Sequence, residues 1–408
     1  MEGNVISVAL IGAGYAAFLH GNAYRSAGGV PFRLKTVVDT DLTKAEKIRD
    51  EYGFEAACAS YSEVLDDPEI DVVDLVTPPF LHKEMIEAAL AAGKHVICEK
   101  PLIGYFGRPG DPAPIGDKVP KEDMYHAVMG ELDSLRTTVA NSKGHFYYAE
   151  NHIYAPAVRK MADIIRRKKS KILSIKATTS LKGSSSPLAG SWAATGGGCW
   201  ARNGIHPLTA VLWLKQQEAQ ARGETIYPTQ VLADMGRTTE SLGTEEHAYI
   251  AAHPIDVEDN SVVVVTFSDG TKAMLYTSDT ALGGTRNLID VYCNDNALEC
   301  RLTDTDLLNT YLSDERGLDG FYLAEMLPSM TGWNRAFVAD DVLRGHAGEL
   351  KSFLQAIAED RDADSSFDLA YDTIRILYAA YWSAEIHAAV SLACPLVGDT
   401  SVPDVCAC

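Results

Sequence analysis

The sequence predicts an α/β protein in which an N-terminal Rossmann fold with a parallel sheet precedes a second α/β domain. Three observations predict this class. The apolar, β-branched run at 5–11 lacks alternation, which is typical of a strand buried on both faces of a parallel sheet. Strand and helix patterns then alternate up to residue 98, as in right-handed βαβ units. After residue 170 strand patterns dominate, and turn signals such as Ser268-Asp269-Gly270 separate them.

Within the first hundred residues the two kinds of pattern follow each other closely. Strand patterns cover 34–38, 72–76 and 95–98, and helical patterns cover 43–52 and 83–92. Ligands of such sheets bind beyond the carboxyl ends of the strands, so the residues that follow each strand carry the functional signal.

Composition and charge exclude several classes of function. The chain has 408 residues, enough for two or three domains of about 100–200 residues each. Its 56 acidic and 36 basic residues give a formal net charge of −20, which repels nucleic-acid phosphates and anionic membrane surfaces. We therefore expect neither nucleic acid nor membrane as a partner, and no run of apolar residues is long enough to span a membrane.

The N-terminus and the cysteines favour a cytoplasmic location. The chain passes from Met1-Glu2-Gly3-Asn4 directly into an apolar run, without the basic start of a secretory signal. Eight cysteines in so long a chain do not indicate a disulfide framework. Cys406-Ala407-Cys408 is either a metal-binding pair or, in the interpretation we favour, part of a frayed tail at 390–408. We expect no metal.

A glycine-rich turn follows the first strand. Gly12 and Gly14, with Tyr15, Ala16 and Ala17 after them, form a G-x-G-x-x-A pattern that opens a helix. The first glycine permits the tight turn, the second lets the backbone approach a pyrophosphate, and Ala17 keeps the helix close to the strand. The phosphates then lie at the helix N-terminus, where free N–H groups favour anions.

The second strand ends in an acid that fits the same ligand. Asp39 lies 22 residues after Ala17, where a carboxylate accepts the ribose hydroxyls of a dinucleotide. Because a carboxylate repels a 2′-phosphate, Asp39 favours NAD over NADP. The alternative is that Asp39 is a turn or helix-capping residue.

With these pieces the sequence resembles the Gfo/Idh/MocA family, named after glucose–fructose oxidoreductase and inositol dehydrogenase. The resemblance covers most of the chain, and Glu99-Lys100-Pro101 at a strand end is its most specific mark. The other matching pieces are Gly12-x-Gly14, Asp39, Thr77-Pro78 with His82 downstream, the stretch 91–96, Gly196-Gly197-Gly198 before Gly204-x-His206, and Gly345-His346-x-Gly348-Glu349.

The resemblance implies the fold, the domains and the cofactor site. It implies an NAD-binding Rossmann domain at 1–150 and a substrate and oligomerisation domain at 151–389 with a large open, mostly antiparallel sheet. A glycine- and proline-rich insertion at about 103–124 has no counterpart in it. The residues that we expect to line the cofactor site, besides the glycine turn and Asp39, are Thr77, Pro78, His82, Glu99 and Lys100.

Two residues are candidates for the chemistry. Lys100 stands at a strand end that faces the nicotinamide, where an ammonium hydrogen-bonds the reacting oxygen and stabilises a developing alkoxide. Its alternative is a surface ion pair with Glu99. His206 is the expected general base, since an imidazole with a pKa of about 6.5 exchanges protons at neutral pH; a purely structural histidine is the alternative.

Arg202 is a departure from the family pattern. The family's usual dehydrogenases carry Asp four residues before the histidine, and this chain has Arg202 there. In an α-helix positions 202 and 206 share a face, although Pro207 puts that helix in doubt. We expect Arg202 to bind the substrate through its planar, permanently charged fork. The alternative is that it pairs with a nearby acid such as Glu150.

Three more residues are expected to bind substrate: Asn151 and Tyr154, which follow the Rossmann domain, and Trp200. Asn151 and Tyr154 offer hydrogen bonds to hydroxyls, and a polar domain junction is the alternative for both.

Together these features indicate an NAD-dependent oxidoreductase that takes hydride from a secondary hydroxyl of a sugar, glycoside or cyclitol. We expect a homo-oligomer, either a dimer or a tetramer. One rival is a family enzyme that oxidises its substrate transiently during glycoside cleavage or elimination. The other is a cofactor-binding regulator without catalysis, which the missing Asp at position 202 keeps open.

Overall fold

The computed structural model describes residues 5–184, 186–303, 307–325, 327 and 329–392. The Cys406–Cys408 pair and most of the expected tail lie outside the described residues.

The N-terminal region is a parallel six-stranded sheet flanked by helices. Its strands lie in the order β3-β2-β1-β4-β5-β6, and every neighbouring pair is parallel. This is the strand order of a dinucleotide-binding Rossmann sheet, as predicted. The strands are β1 (Ile6–Ile11), β2 (Phe32–Val38), β3 (Ala56–Cys58), β4 (Val72–Leu75), β5 (His95–Glu99) and β6 (Phe146–Ala149). The helices are α1 (Tyr15–Ser26), α2 (Leu42–Tyr52), α3 (Tyr61–Asp66), α4 (His82–Ala91), α5 (Ile115–Lys118) and α6 (Lys121–Asn141).

Central strands of this sheet are apolar because both faces are covered. All six residues of β1 and all four of β4 are buried. By contrast β3 is short and partly exposed at the edge, so its apolar pattern is too weak to predict a strand. The insertion expected at 103–124 is only partly a loop, because it contains α5 and the first turn of α6.

The C-terminal region is built on a seven-stranded, mostly antiparallel sheet, as the resemblance implied. The strand order is β12-β11-β7-β10-β9-β8-β15, and only the central pair β7–β10 is parallel. The strands are β7 (Ile172–Ser180), β8 (Pro228–Gly236), β9 (Asn260–Phe267), β10 (Lys272–Ser278), β11 (Arg286–Cys293), β12 (Ala297–Arg301) and β15 (Val390–Ser391), and a separate hairpin contains β13 (Asn309–Leu312) and β14 (Gly332–Arg335). The helices are α7 (Pro156–Lys168), α8 (Trp192–Thr195), α9 (Ile205–Arg222), α10 (Asp340–Leu343), α11 (His346–Ala358) and α12 (Phe367–Ile386).

The last two long helices return to the N-terminal region. Helix α11 packs on α1, and α12 packs on α6, on β8 and on α9. Strand β15 then pairs with β8, so residues 390–391 belong to the second sheet and not to the expected tail. No helix among the described residues combines the length and the apolar character that a membrane crossing requires.

Candidate active site

The glycine turn between β1 and α1 has the shape that a dinucleotide requires. Gly12 has φ +106°, and a Cβ atom there would lie 2.8 Å from the carbonyl oxygen of Val76. A Cβ atom at Gly14 would meet nothing within 4 Å, so open space lies above the turn where the α1 N–H groups begin. Ala17 is buried against the sheet, whereas Tyr15 is exposed beside the open space. The turn therefore fits a bound pyrophosphate.

Asp39 is connected directly to this turn. Its Oδ2 accepts a hydrogen bond of 2.8 Å from the N–H of Ala13, and its Oδ1 accepts one of 2.8 Å from the N–H of Asp41. The carboxylate thus lies between the glycine turn and the start of α2. This is where the adenosine ribose of a dinucleotide is held in Rossmann folds.

His82 serves the cofactor site indirectly, which corrects the expectation that it contacts the cofactor. Its ring is fully buried, with Nε2 2.9 Å from the carbonyl oxygen of Thr77 and Nδ1 3.0 Å from that of Pro101. The imidazole therefore joins the segment after β4 to the segment after β5. Thr77 and Pro78 remain at the surface of the cleft, half-buried and exposed respectively.

A buried charge cluster holds the end of β5. His20 lies between two carboxylates, with Nδ1 2.8 Å from Asp74 Oδ2 and Nε2 3.2 Å from Glu99 Oε1. Burial lowers the pKa of His20, but Asp74 and Glu99 outweigh it and raise that pKa well above 6.5. The other oxygen of Glu99 accepts the backbone N–H of Lys100 at 2.9 Å. Glu99 thereby positions Lys100, and the sequence reasoning missed His20 because nothing in α1 marks it.

Lys100 reaches across to the second region of the chain. Its Nζ donates a 2.8 Å hydrogen bond to the backbone carbonyl of Arg202. Burial lowers the pKa of this ammonium from 10.5, while the charges of Glu99 and Glu150 act against that shift. Nζ has further N–H groups besides the one bonded to Arg202, and these are available to a ligand.

His206 is the second chemical group, and it belongs to the first turn of α9. Its Nδ1 lies 2.8 Å from Oε1 of Glu150, and its ring stacks on His152 with centroids 4.7 Å apart. Burial lowers the pKa of His206 well below 6.5, and the positive charges of Lys100 and Arg344 lower it further. The imidazole is therefore neutral at physiological pH and able to accept a proton. The structure thus brings Lys100 and His206, as predicted candidates, to one site.

The position of Arg202 contradicts the expectation that its side chain binds substrate. Its guanidinium pairs with Asp279, which also accepts from Asn203 at 3.3 Å. Residues 200–204 form a π-helical segment before α9, and the two side chains have different partners: Arg202 pairs with Asp279 and His206 contacts Glu150. The alternative, that Arg202 pairs with a nearby acid, is confirmed, but the acid is Asp279 and not Glu150, whose Oε1 contacts His206.

Two other expected substrate ligands, Trp200 and Tyr154, are buried and bonded within the protein. Trp200 is fully buried and donates through Nε1 to the carbonyl oxygen of Leu377 at 3.2 Å. Tyr154 is buried, and its hydroxyl accepts from the N–H of Ser365 at 3.1 Å.

Asn151 joins two segments of the site instead of facing a substrate. It donates through Nδ2 to the carbonyl oxygen of Arg344 at 2.8 Å. Gly345, with φ +103°, packs so closely that a Cβ there would lie 2.1 Å from the carbonyl oxygen of Asn151.

Arg344 and the cavity behind it were not predicted. Arg344 Nη1 lies 3.3 Å from Glu325 Oε2, and Glu325 also accepts from Thr285 at 3.3 Å. Glu325 and Thr285 line a cavity of about 770 Å³. Tyr249 and Trp333 line the same cavity with more than two thirds of their surface exposed, so aromatic faces are available to a ligand.

One side-chain group in the site has donor atoms suited to a metal ion. Ligand atoms of Glu150, His152 and His206 all lie within 4.8 Å of one another. Two imidazoles and a carboxylate match the donors of a zinc ion. Two of these atoms, however, already face each other in the Glu150–His206 contact, and the cations Lys100 and Arg344 act on the same imidazole.

Comparison with known proteins identifies both regions of the chain. Residues 6–105 match the model of the Gfo/Idh/MocA oxidoreductase family with its NAD-binding Rossmann fold. Residues 158–299 match the model of the C-terminal domain of the same family.

Similar proteins cover nearly the whole chain. Levoglucosan dehydrogenase of Pseudarthrobacter phenanthrenivorans is 25% identical over 392 residues, which are 91% of this chain and 94% of the relative. The crystal structure of GenD2 from gentamicin A biosynthesis in complex with NAD has a TM-score of 0.77 and 20% identity, over 96% of this chain and 97% of that one. A levoglucosan dehydrogenase structure with NADH and levoglucosan has a TM-score of 0.69 and 21% identity, over 96% and 100% of the two chains. With both domain models matched in order, the chain belongs to the Gfo/Idh/MocA family of oxidoreductases and binds NAD through its N-terminal domain.

Proposed function

We propose that the protein is an NAD-dependent dehydrogenase that oxidises a secondary hydroxyl of a sugar, glycoside or cyclitol. The observation that carries the proposal is the meeting of Lys100 and His206 in one cleft. Lys100 comes from the end of β5 and His206 from the start of α9; Lys100 bonds the carbonyl oxygen of Arg202, and its positive charge lowers the pKa of His206. The similarity to levoglucosan dehydrogenase, an enzyme named for a sugar-derived substrate, supports this proposal.

The two side chains divide the work on the substrate hydroxyl. NAD, when bound along the glycine turn and Asp39, supplies the hydride acceptor. Lys100 donates a hydrogen bond to the reacting oxygen and stabilises negative charge that develops on it. His206, held neutral by burial and by neighbouring cations, accepts the hydroxyl proton.

The remainder of the sugar has space in the cavity behind Arg344. Its volume of about 770 Å³ lies within the range of about 300–1,000 Å³ for small-molecule sites. The cavity presents Tyr249 and Trp333, whose apolar rings suit the C–H faces of a sugar, together with the charged groups Lys182, Arg286 and Glu325. We propose that this cavity holds the part of the substrate that does not react.

A panel of sugars, glycosides and cyclitols, offered with NAD, tests the proposed function. We expect sustained formation of NADH with at least one class of compound, and the absorbance of NADH measures it. A single burst of enzyme-bound NADH with steady formation of a cleaved product would instead indicate transient oxidation. Binding of NAD without turnover of any compound would favour a regulator.

The cofactor preference depends on Asp39. We expect the native protein to bind NAD more tightly than NADP, because the carboxylate beside Ala13 repels a 2′-phosphate. Asp39→Ser should weaken NAD binding by about 10-fold, because a hydrogen bond to a charged group is lost. It should also reduce the difference in affinity between NAD and NADP. Titration of both cofactors against both proteins measures this. Tighter NADP binding by the native protein would show that Asp39 has another role.

Metal removal should leave the activity unchanged. The donor atoms of Glu150 and His206 already contact each other, and Lys100 lowers the affinity of the site for a second cation. We expect dialysis against a chelator to preserve kcat, and elemental analysis to find less than one metal ion per chain. Loss of activity that zinc restores would contradict this.

We further propose a homo-oligomer, dimer or tetramer, that forms through the second sheet. Helices cover one face of that sheet, whereas Leu232, Val262, Met274 and Tyr276 expose apolar surface on neighbouring strands of the other. Such a patch is typical of an interface between subunits. The cytoplasmic location stays a prediction.

A further inference from the structure

We propose that Glu150 is the positioning residue of the catalytic histidine, and that it replaces the acid which family dehydrogenases carry four residues before that histidine. The inference rests on the proposed function for its chemistry, but the contact itself does not. Glu150 follows β6 in the N-terminal region, far in sequence from His206, so no local pattern reveals the pair.

The geometry points to a carboxylate–imidazole pair. Oε1 of Glu150 lies 2.8 Å from Nδ1 of His206, and the Glu150 side chain is completely buried. The His206 side chain is 15% exposed, and its Nε2 has no hydrogen-bond partner among the described residues. The buried nitrogen thus faces the carboxylate, and Nε2 is left for the substrate hydroxyl.

Position 202 does not supply this carboxylate, because the residue there is an arginine that pairs with Asp279. Arg202 lies in the π-helical segment 200–204 with its guanidinium on Asp279, and its backbone carbonyl accepts the hydrogen bond of Lys100. An acid is therefore needed from another element, and the end of β6 provides it. The exchange also explains how the chain tolerates a cation at a position where the family usually has an anion.

The protonation state of Glu150 decides what His206 can do. An ionised carboxylate only accepts, so Nδ1 must carry the proton and Nε2 is a free base. A protonated carboxyl donates to Nδ1, which places the imidazole proton on Nε2 and removes the base. Burial raises the pKa of Glu150 to about 7, so this change of tautomer falls in the physiological range.

Other titratable groups around the pair do not supply the same switch. Burial lowers the pKa of His152, which stacks on His206, well below 6.5, and that of His346 likewise. Burial raises the pKa of Glu349 well above 4.5, and this carboxyl has no contact with the His206 ring within hydrogen-bond distance. The remaining charged neighbours are Lys100, Glu99 and Arg344.

The Glu150–His206 pair accounts for the proton that the substrate hydroxyl releases. The substrate O–H bond breaks, and its proton passes to Nε2 of His206. NAD, when bound, would accept the hydride from the carbon that carries this hydroxyl. The imidazole becomes a cation, and its Nδ1–H remains bonded to the Glu150 carboxylate, which offsets the unfavourable effect of Lys100 and Arg344. The products are a ketone, NADH and one proton held by the histidine.

Glu150→Gln tests the role through the pH profile. In the native enzyme kcat/KM for oxidation should rise with pH through a midpoint near 7, as Glu150 ionises. In the variant this rising limb of the pH profile should be absent, and kcat/KM at pH 8 should be about 10²-fold lower than in the native enzyme. The affinity for NAD should stay unchanged. A native-like limb in the variant would overturn the proposal.

Glu258→Gln is a matched control. Glu258 is also buried, burial raises its pKa to about 7, and it accepts the N–H groups of Gly198 and Trp200 without touching His206. Its variant should keep the limb near pH 7 whatever its overall rate. Loss of the limb in this control would overturn the assignment to Glu150.

A second measurement does not depend on turnover. In protein labelled with ¹⁵N-histidine, the ring signals of His206, assigned with a His206→Asn variant, should change from the Nδ1–H to the Nε2–H tautomer between pH 8 and pH 6. The change should be absent in Glu150→Gln. A His206 tautomer that is constant with pH in the native protein would refute the role of Glu150, even if no sugar is oxidised, whereas failure of the sugar panel alone refutes only the proposed function.

Discussion

Replacing Lys100 with alanine should lower kcat by about 10²–10⁴-fold, the range for a lost group that acts on the transferred proton or the reacting oxygen. The reason is that Lys100 Nζ is held in the cleft by the carbonyl oxygen of Arg202 and presents its remaining N–H groups to the substrate. Steady-state kinetics with the substrate found in the panel measures the change. NAD affinity, measured by titration, should change much less.

Whether the Lys100 variants change kcat or KM distinguishes a role in catalysis from a role in substrate binding. A residue that stabilises only the developing alkoxide lowers kcat and kcat/KM together. Lys100→Arg keeps the charge but exchanges a compact ammonium for a wider planar group, so we expect it to remain impaired. A variant of Lys100 that raises KM and leaves kcat intact would show that the residue only binds the sugar.

Replacing His206 with alanine should lower kcat by about 10²–10⁴-fold as well, because its Nδ1 faces the Glu150 carboxylate and its Nε2 is left to accept the substrate proton. NAD affinity should stay close to native, since His206 belongs to the second region. Added imidazole should restore part of the rate if the cavity left by the side chain admits it. Near-normal turnover of His206→Ala would remove this residue from the mechanism.

The fold was predictable where the information is local. The run of β1 is buried along its whole length, and the turn after it needs a glycine at a positive φ, so both leave a direct mark on the sequence. The hairpin of β9 and β10 is equally local, because its turn residues stand between alternating strands. The short edge strand β3 has no such mark and was missed.

The site was predictable only in part, for physical reasons. Trp200, Tyr154 and Asn151 are residue types that serve a sugar or a domain junction equally well, and only packing decides between the two. Helical periodicity cannot reveal the partner of Arg202, because Asp279 lies far from it in the sequence.

The partners of the catalytic groups come from distant parts of the chain. Glu150 and His206 meet across the two regions, and His20 joins Asp74 and Glu99 from three different elements. Contacts of this kind have no spacing signature, so a single sequence gives no warning of them.

The edge of the first sheet has a consequence for how the protein is made. Strand β6 is the edge of that sheet. The backbone N–H of its Tyr148 donates to the carbonyl oxygen of Ser365, and the ring of Tyr147 stacks on Phe353 with centroids 5.3 Å apart. On the ribosome the first 150 residues emerge long before these partners are synthesised. During that interval an aromatic strand edge is uncovered, and such edges promote aggregation. Nascent chains of this protein should therefore depend on a chaperone, or on slow dilution in vitro, until the helices α11 and α12 arrive to cover β6.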